Sequence, residues 1–168
     1  METKSKYKIL IVDDDADVID VIDSILKKAG YDVYSASNKK EGLAELGRVK
    51  PDLAILDVMM TSRFEGFEMA REMLDTPEYM DIPILIQSSI EVQETYNPNL
   101  REAAREMRRV PNFRALEVLL IRNSEDGTAG VDYKAEDGKS YWFRVKGFIR
   151  KPVDGKVIVP EIRKHLEE

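Results

Sequence analysis

The chain has 168 residues, 43% hydrophobic and 35% charged, with 26 Lys and Arg against 32 Asp and Glu and a net charge of −6. That length suits one domain with a real core. The mild acidity argues against sequence-independent DNA binding, which runs on basic surfaces that neutralise phosphate. With no cysteine there is no disulfide frame, thiolate nucleophile or cysteine metal cluster. The one histidine, His165, lies in EIRKHLEE and reads as a solvated helix residue, because no other histidine can help it complete a metal site. The opening METKSKYKILIV has too short an apolar run for a secretory or membrane-spanning segment, so a cytoplasmic protein is expected.

Strand-like and helix-like patterns alternate through the first half. YKILIV (Tyr7 to Val12) is a short continuous apolar run, as a strand covered on both faces requires. Asp15 can cap a helix with Val18, Ile19, Ile22, Ile25 and Leu26 at helical period, and Gly30 stops it. YDVYSA (Tyr31 to Ala36) reads as a second strand and KKEGLAELGRV as a helix. DLAILD (Asp52 to Asp57) follows Pro51 as a third strand, GFEMAREML (Gly66 to Leu74) as a third helix, and IPILIQ (Ile82 to Gln87) as a fourth strand. GFIRK is the fifth, and PEIRKHLEE the last helix, with Pro160 expected in its first turn. Strands separated by helices imply a parallel sheet with right-handed crossovers, hence a doubly wound α/β fold.

Residues 90 to 145 break the rhythm, since a parallel crossover needs only about a dozen residues. NPNLREAAREMRR reads as helical, FRALEVLLIRN as helix or strand, and VDYKAEDGKSYWFRV as a β-hairpin about Asp137-Gly138. The expectation is a single domain, 1–168, with an insertion at about 90–145.

Ligands of open α/β sheets sit beyond the carboxyl ends of the strands. Strand one ends there in Asp13, Asp14 and Asp15, strand three in Asp57, strand four in Ser88 and Ser89, and strand five in Lys151. Taken singly, each has an ordinary explanation: a turn-forming or capping aspartate (the preferred reading for Asp15), a turn hydroxyl, a solvated lysine. Together they do not. Carboxylates about 4 Å apart repel by about 4 kcal/mol at an effective dielectric of 20, and one lysine cannot neutralise three. An all-oxygen acidic pocket favours a hard divalent ion such as Mg²⁺, and phosphoryl chemistry suits that arrangement.

The blocks IVDDDAD, PDLAILDVMM, PILIQSS and GFIRKPV resemble, in order and in strand-end placement, the receiver domain of two-component response regulators, over roughly the first 90 residues and the last 25. The resemblance implies a five-stranded sheet of order 2-1-3-4-5. It implies Asp57 as phosphoacceptor, Asp14 as a direct Mg²⁺ ligand, Asp13 as a more peripheral one and the Met59 carbonyl as another. It also implies Ser88 as the switch hydroxyl, Phe148 as the switch aromatic and Lys151 as the phosphate-binding lysine, with a cis Lys151-Pro152 bond. By itself Phe148 reads equally well as a core aromatic.

A histidine kinase or histidine phosphotransfer protein would then be the donor, because this chain carries only His165. No further enzymatic activity is expected beyond self-phosphorylation and autodephosphorylation. With no output module after the last helix, the chain is expected to act through protein contacts, with homodimerisation one form. Thr61 stands where proline is common, TSRFEG is longer than the usual loop, Ser89 stands where a small residue is usual and Lys39 replaces a frequent glycine. The larger departure is the 63 positions between Ser88 and Lys151. Within Asn97 to Asn123 lie six arginines against three glutamates, and Trp142, Tyr133, Tyr141 and Phe143 follow. A solvated helix with a small satellite core would account for these, and so would a docking surface for an acidic partner.

Three other functions fit less well. A haloacid-dehalogenase-type phosphatase needs an aspartate two positions after the nucleophile, where Met59 stands. A nucleotide-binding protein would need a Gly-rich phosphate loop. A pseudo-receiver would keep the fold as a binding module without phosphorylation.

Overall fold

In the computed structural model, residues 7–167 are described; Glu168, at the end of the expected last helix, lies outside them. The chain forms two compact units, one of residues 1–88 and 149–168 and the other of residues 89–148.

The first unit is built on a parallel sheet of order β2-β1-β3-β4-β9, the expected 2-1-3-4-5 arrangement. Its strands are β1 (Lys8–Val12), β2 (Asp32–Ala36), β3 (Leu53–Asp57), β4 (Ile84–Ser88) and β9 (Gly147–Arg150), of which Ile149 and Arg150 fall in this unit. β1 and β3 run as near-unbroken apolar stretches because helices cover both faces. On one face, Ile9, Ile11, Leu53, Ile55, Leu85 and Ile149 pack against Ile22 and Leu26 of α1 (Ala16–Lys28) and Ile158 and Ile162 of α6 (Gly155–Leu166). Helices α2 (Lys39–Val49) and α3 (Glu65–Leu74) complete the unit. The Asp15 carboxylate caps α1, accepting from the N–H groups of Asp17 at 2.9 Å and Val18 at 3.4 Å. Gly30, at φ 98°, takes the left-handed turn after it.

The last helix differs from its expected form. It begins at Gly155, capped by Asp154, so that Pro160 lies inside it and not in the first turn. An interior proline forfeits one backbone hydrogen bond. The buried Ile158 and Ile162 on either side anchor the helix to the sheet regardless. His165 is not a solvated residue either: its side chain is 12% exposed, and Nε2 lies 2.8 Å from the Glu161 carboxylate one turn back.

The second unit has its own four-stranded sheet, β5-β6-β7-β8. The expected hairpin is β7 (Ala129–Lys134) and β8 (Ser140–Val145), with Gly138 at φ 81° in the turn. To it are added β6 (Val118–Asn123), antiparallel to β7, and β5 (Val92–Thr95), parallel to β6. FRALEVLLIRN therefore divides between a short helix, α5 (Pro111–Arg114), and a strand. Helix α4 (Leu100–Met107) places Leu100 and Ala104 on Leu119 and Ile121 of β6, with Trp142 beside them. Arg108 ties this unit together through 2.7 Å to the Phe113 carbonyl, a bond to the Leu116 carbonyl and 2.9 Å to the Asp132 carboxylate.

Candidate functional site

Side chains along a strand alternate between faces. The face that carries Ile9 and Ile11, Leu53 and Ile55, Leu85, and Ile149 therefore continues, two residues on, to Asp13, Asp57, Gln87 and Lys151. The same alternation that builds the apolar core thus delivers two carboxylates, an amide and an ammonium to its rim.

Lys151 Nζ donates to Asp57 Oδ1 at 2.8 Å, joining residues 94 apart in sequence. It lies 3.6 Å from Asp13 Oδ2, an ion-pair distance beyond a hydrogen bond. Asp13 Oδ1 accepts from the Asp15 N–H at 2.9 Å. Asp13 and Asp57 are buried, and Asp14 is exposed at the mouth. Ser88 is buried at the end of β4, and its carbonyl accepts from the Lys151 N–H at 3.0 Å. The Lys151-Pro152 bond is cis. Met59 lies just past β3 with its side chain exposed, and Phe148 is half-buried on β9.

Burial pushes the Asp57 carboxyl up to about 6, with the negative charges of Asp13 and Asp14 adding to it and Lys151 opposing. Asp13 is likewise raised, first by burial, against the Asp15 N–H and Lys151. Burial alone would lower Lys151, but Asp57 and Asp13 outweigh it and hold the ammonium above its ordinary value. Burial thus prevails at Asp57, and the two carboxylates prevail at Lys151.

The site has the donor chemistry of a hard cation. One carboxylate oxygen each from Asp13, Asp14 and Asp57 lies within 4.8 Å of the others. Asp13 Oδ2 is buried with no hydrogen-bond partner among the described residues, so it retains a lone pair for a ligand. A small all-oxygen set of this kind suits Mg²⁺, which takes few protein ligands and keeps waters or phosphate oxygens.

Three contributors escape a strand-end inventory. Glu65 is buried at the start of α3, and its carboxylate accepts from the Lys39 N–H at 2.6 Å and the Ser62 N–H at 3.1 Å. It ties the loop after Asp57 to the start of α2. Gly66 donates its N–H to the Val58 carbonyl at 3.0 Å, bringing α3 against the end of β3. Gln87, the register partner of Asp57, is fully buried. The polar letter Q within ILIQS was the available signal for Gln87. Nothing local marks Glu65 or Gly66.

Residues 9–107, more than half of the chain, match the family described as the response regulator receiver domain. The chain belongs to the response regulator receiver family. The matched span includes Asp13, Asp14, Asp57 and Ser88 but ends before Lys151. The receiver is 38% identical over 66 residues to the alkaline phosphatase synthesis transcriptional regulatory protein PhoP of Bacillus subtilis, covering 39% of this chain and 27% of that protein. It is 33% identical over 85 residues to the probable transcriptional regulator ycf27 of Porphyridium aerugineum, covering 51% of this chain and 34% of that one. The receiver thus spans about a third or less of these relatives.

Two solved structures share its fold. The chemotaxis protein CheY4 of Vibrio cholerae is 19% identical with a TM-score of 0.62, over 96% of this chain and 100% of that one. The signal receiver domain of a signal transduction histidine kinase from Syntrophus aciditrophicus is 22% identical with a TM-score of 0.61, over 96% and 90%. Among the described residues of the receiver, no helix is long and apolar enough to cross a membrane.

Proposed function

We propose that this receiver is a Mg²⁺-dependent phosphoacceptor of a two-component phosphorelay, in the cytoplasm, with Asp57 as the phosphorylated residue. The observation that carries this reading is the 2.8 Å pair between Lys151 and Asp57 beside two further carboxylates. Asp13, Asp14, Asp57 and the Met59 carbonyl would hold Mg²⁺, which when bound would supply positive charge against the negative phosphoryl oxygens.

The donor is a phosphohistidine of a kinase or phosphotransfer protein. An Asp57 carboxylate oxygen attacks phosphorus, the N–P bond breaks and its electron pair returns to the imidazole of the donor. Lys151 carries the cationic charge that the transferred oxygens need, and burial keeps bulk water from competing for it. Water later attacks the acyl phosphate, releasing phosphate and restoring the Asp57 carboxylate. No other catalytic activity is assigned. Ser88 engages the new phosphoryl group and Phe148 follows, shifting the population between two packings.

Incubation with Mg²⁺ and a small acyl phosphate such as acetyl phosphate tests this. One added phosphoryl mass, absent in Asp57→Asn, is expected. No adduct from acetyl phosphate or from a phosphorylated histidine phosphotransfer protein would favour the pseudo-receiver instead.

Residues 89–148 then form an insertion within a single receiver domain, serving as a docking module for an acidic partner. Two features of that unit support this. Its ten basic and ten acidic residues leave it neutral within a chain of net charge −6, and it carries an open cleft of about 480 Å³ lined by Pro98, Asn99, Leu100, Arg101, Trp142 and Arg144. Two guanidiniums beside an indole suit carboxylates on an extended segment. Trp142 is the only tryptophan, so its emission reports on the cleft directly. A Glu-rich peptide is expected to change that emission, and Arg101→Glu with Arg144→Glu to weaken binding by about tenfold or more. Equal binding by the double variant would exclude the cleft.

A further inference from the structure

Three buried side-chain polar atoms lack a hydrogen-bond partner among the described residues: Asp13 Oδ2 and both amide atoms of Gln87. Buried polar groups are nearly always paired, and each exception calls for an explanation. Neither residue is stray. Gln87 is the register partner of Asp57 on the adjoining strand, and alternation places it on the face that carries Asp57, Asp13 and Lys151. Its strand is otherwise apolar up to Ser88, reading ILIQS, and every other residue of Ile84 to Gln87 belongs to the hydrophobic core. An aliphatic side chain would fill the position without the cost of stripping water from an amide.

We propose that Gln87 is a positioning residue of the phosphoryl site, its carboxamide held in reserve for the phosphorylated state. This rests on Asp57 being the phosphoacceptor. At rest, the Lys151 ammonium has three N–H donors but, among the described residues, only one hydrogen-bonded carboxylate, Asp57 Oδ1, with Asp13 Oδ2 at 3.6 Å. Forming the acyl phosphate removes the charge of the Asp57 carboxylate and places it farther out, on the phosphoryl oxygens. Lys151 must turn to follow that charge. The Gln87 carbonyl oxygen then accepts an N–H that Asp57 has released, fixing the ammonium against the phosphoryl group, and the amide N–H₂ is free to donate to Asp13 Oδ2. The amide is therefore unpaired in one state and paired in the other. It penalises the resting protein and favours the phosphorylated one.

The variant Gln87→Met keeps side-chain length and removes the amide. Thermal melts with and without Mg²⁺ and beryllium fluoride, a phosphoryl mimic, are the test, together with the lifetime of the acyl phosphate. The free variant is expected to melt higher than wild type, while its gain on adding beryllium fluoride is smaller. Its acyl phosphate is expected to decay about fivefold faster, the factor that one ordinary hydrogen bond carries. A structural amide, satisfied by buried water, predicts the opposite: Gln87→Met melts lower and keeps the full gain and lifetime, which overturns the proposal. A higher melt with an unchanged gain and lifetime overturns it equally. If wild type itself gains nothing from beryllium fluoride, the phosphoacceptor reading fails and this one with it. Gln87→Leu repeats the comparison should the Met variant not fold.

Discussion

Replacing Asp57 by asparagine is expected to stabilise the metal-free protein at pH 7, by up to about 3 kcal/mol. The Asp57 carboxyl stands at about 6 against an ordinary value of 3.8, and each unit of difference is worth about 1.4 kcal/mol. Because its folded value is raised, the contribution of Asp57 to stability is fully present below pH 3.8 and is lost as the pH climbs through about 6. Above that, the folded protein holds a charge that the unfolded chain would solvate better. Asparagine never ionises and escapes this loss, although Lys151 then keeps, among the described residues, only Asp13 as an ion-pair partner, which offsets part of the gain. Denaturation in a chelator between pH 4 and 7.5 is the measurement. The stability gap should be small at pH 4, open between pH 4 and 6, and level off near pH 7. Mg²⁺ should then stabilise wild type more than Asp57→Asn and close the gap. A variant less stable than wild type at pH 7, or a gap that ignores pH, would show that burial does not dominate at Asp57.

The opposite outcome is expected for Gly66→Ala. A Cβ at Gly66 would lie 1.7 Å from the Asp57 carbonyl oxygen and 2.7 Å from its carbonyl carbon. These are backbone atoms that no rotamer change can move aside. Gly66 is needed for close approach, not for an unusual φ. Overpacking of this kind costs about 3 kcal/mol or more. Because the atoms that must shift belong to Asp57, the proposed phosphoacceptor, phosphorylation by acetyl phosphate should fall by about tenfold or more even where the variant remains folded. Gly30→Ala is the control: it meets nothing within 4 Å and is strained only by its φ of 98°, so it should cost about 1 kcal/mol and leave phosphorylation intact. Equal effects at the two glycines would mean that the contact at Asp57 relaxes freely.

Both predictions concern properties that no local pattern displays. Each strand of the parallel sheet was legible because an apolar run bounded by turn residues depends only on its immediate neighbours. Helix α2 matches its expected span residue for residue, and α1 its cap and stop, for the same reason. The second unit was read less completely. Its hairpin and first helix were visible in alternation and period, but VQET is too short and polar to announce a strand. It becomes one by pairing with β6, 28 residues later. FRALEVLLIRN was ambiguous until β7 paired with its second half. Pro160 was misplaced because the burial of Ile158 and Ile162 outweighs the local preference for proline at a helix start.

By itself, the amino-acid sequence determined which chemical groups this protein carries to the end of its sheet: the Asp13, Asp14 and Asp57 carboxylates, the Ser88 hydroxyl and the Lys151 ammonium, at or beside the ends of four strands. Period-two alternation links Asp13, Asp57 and Lys151 to the apolar runs before them, so the identity and placement of these groups are local properties. Only the tertiary structure decided what those groups do to one another. It set the direction in which burial moves the Asp57 carboxyl, the close approach of Gly66 to its carbonyl, and the lack of a hydrogen-bond partner for the Gln87 amide among the described residues. These depend on burial and on neighbours brought from tens of residues away, and desolvation and pairing have no signature until the strands lie side by side.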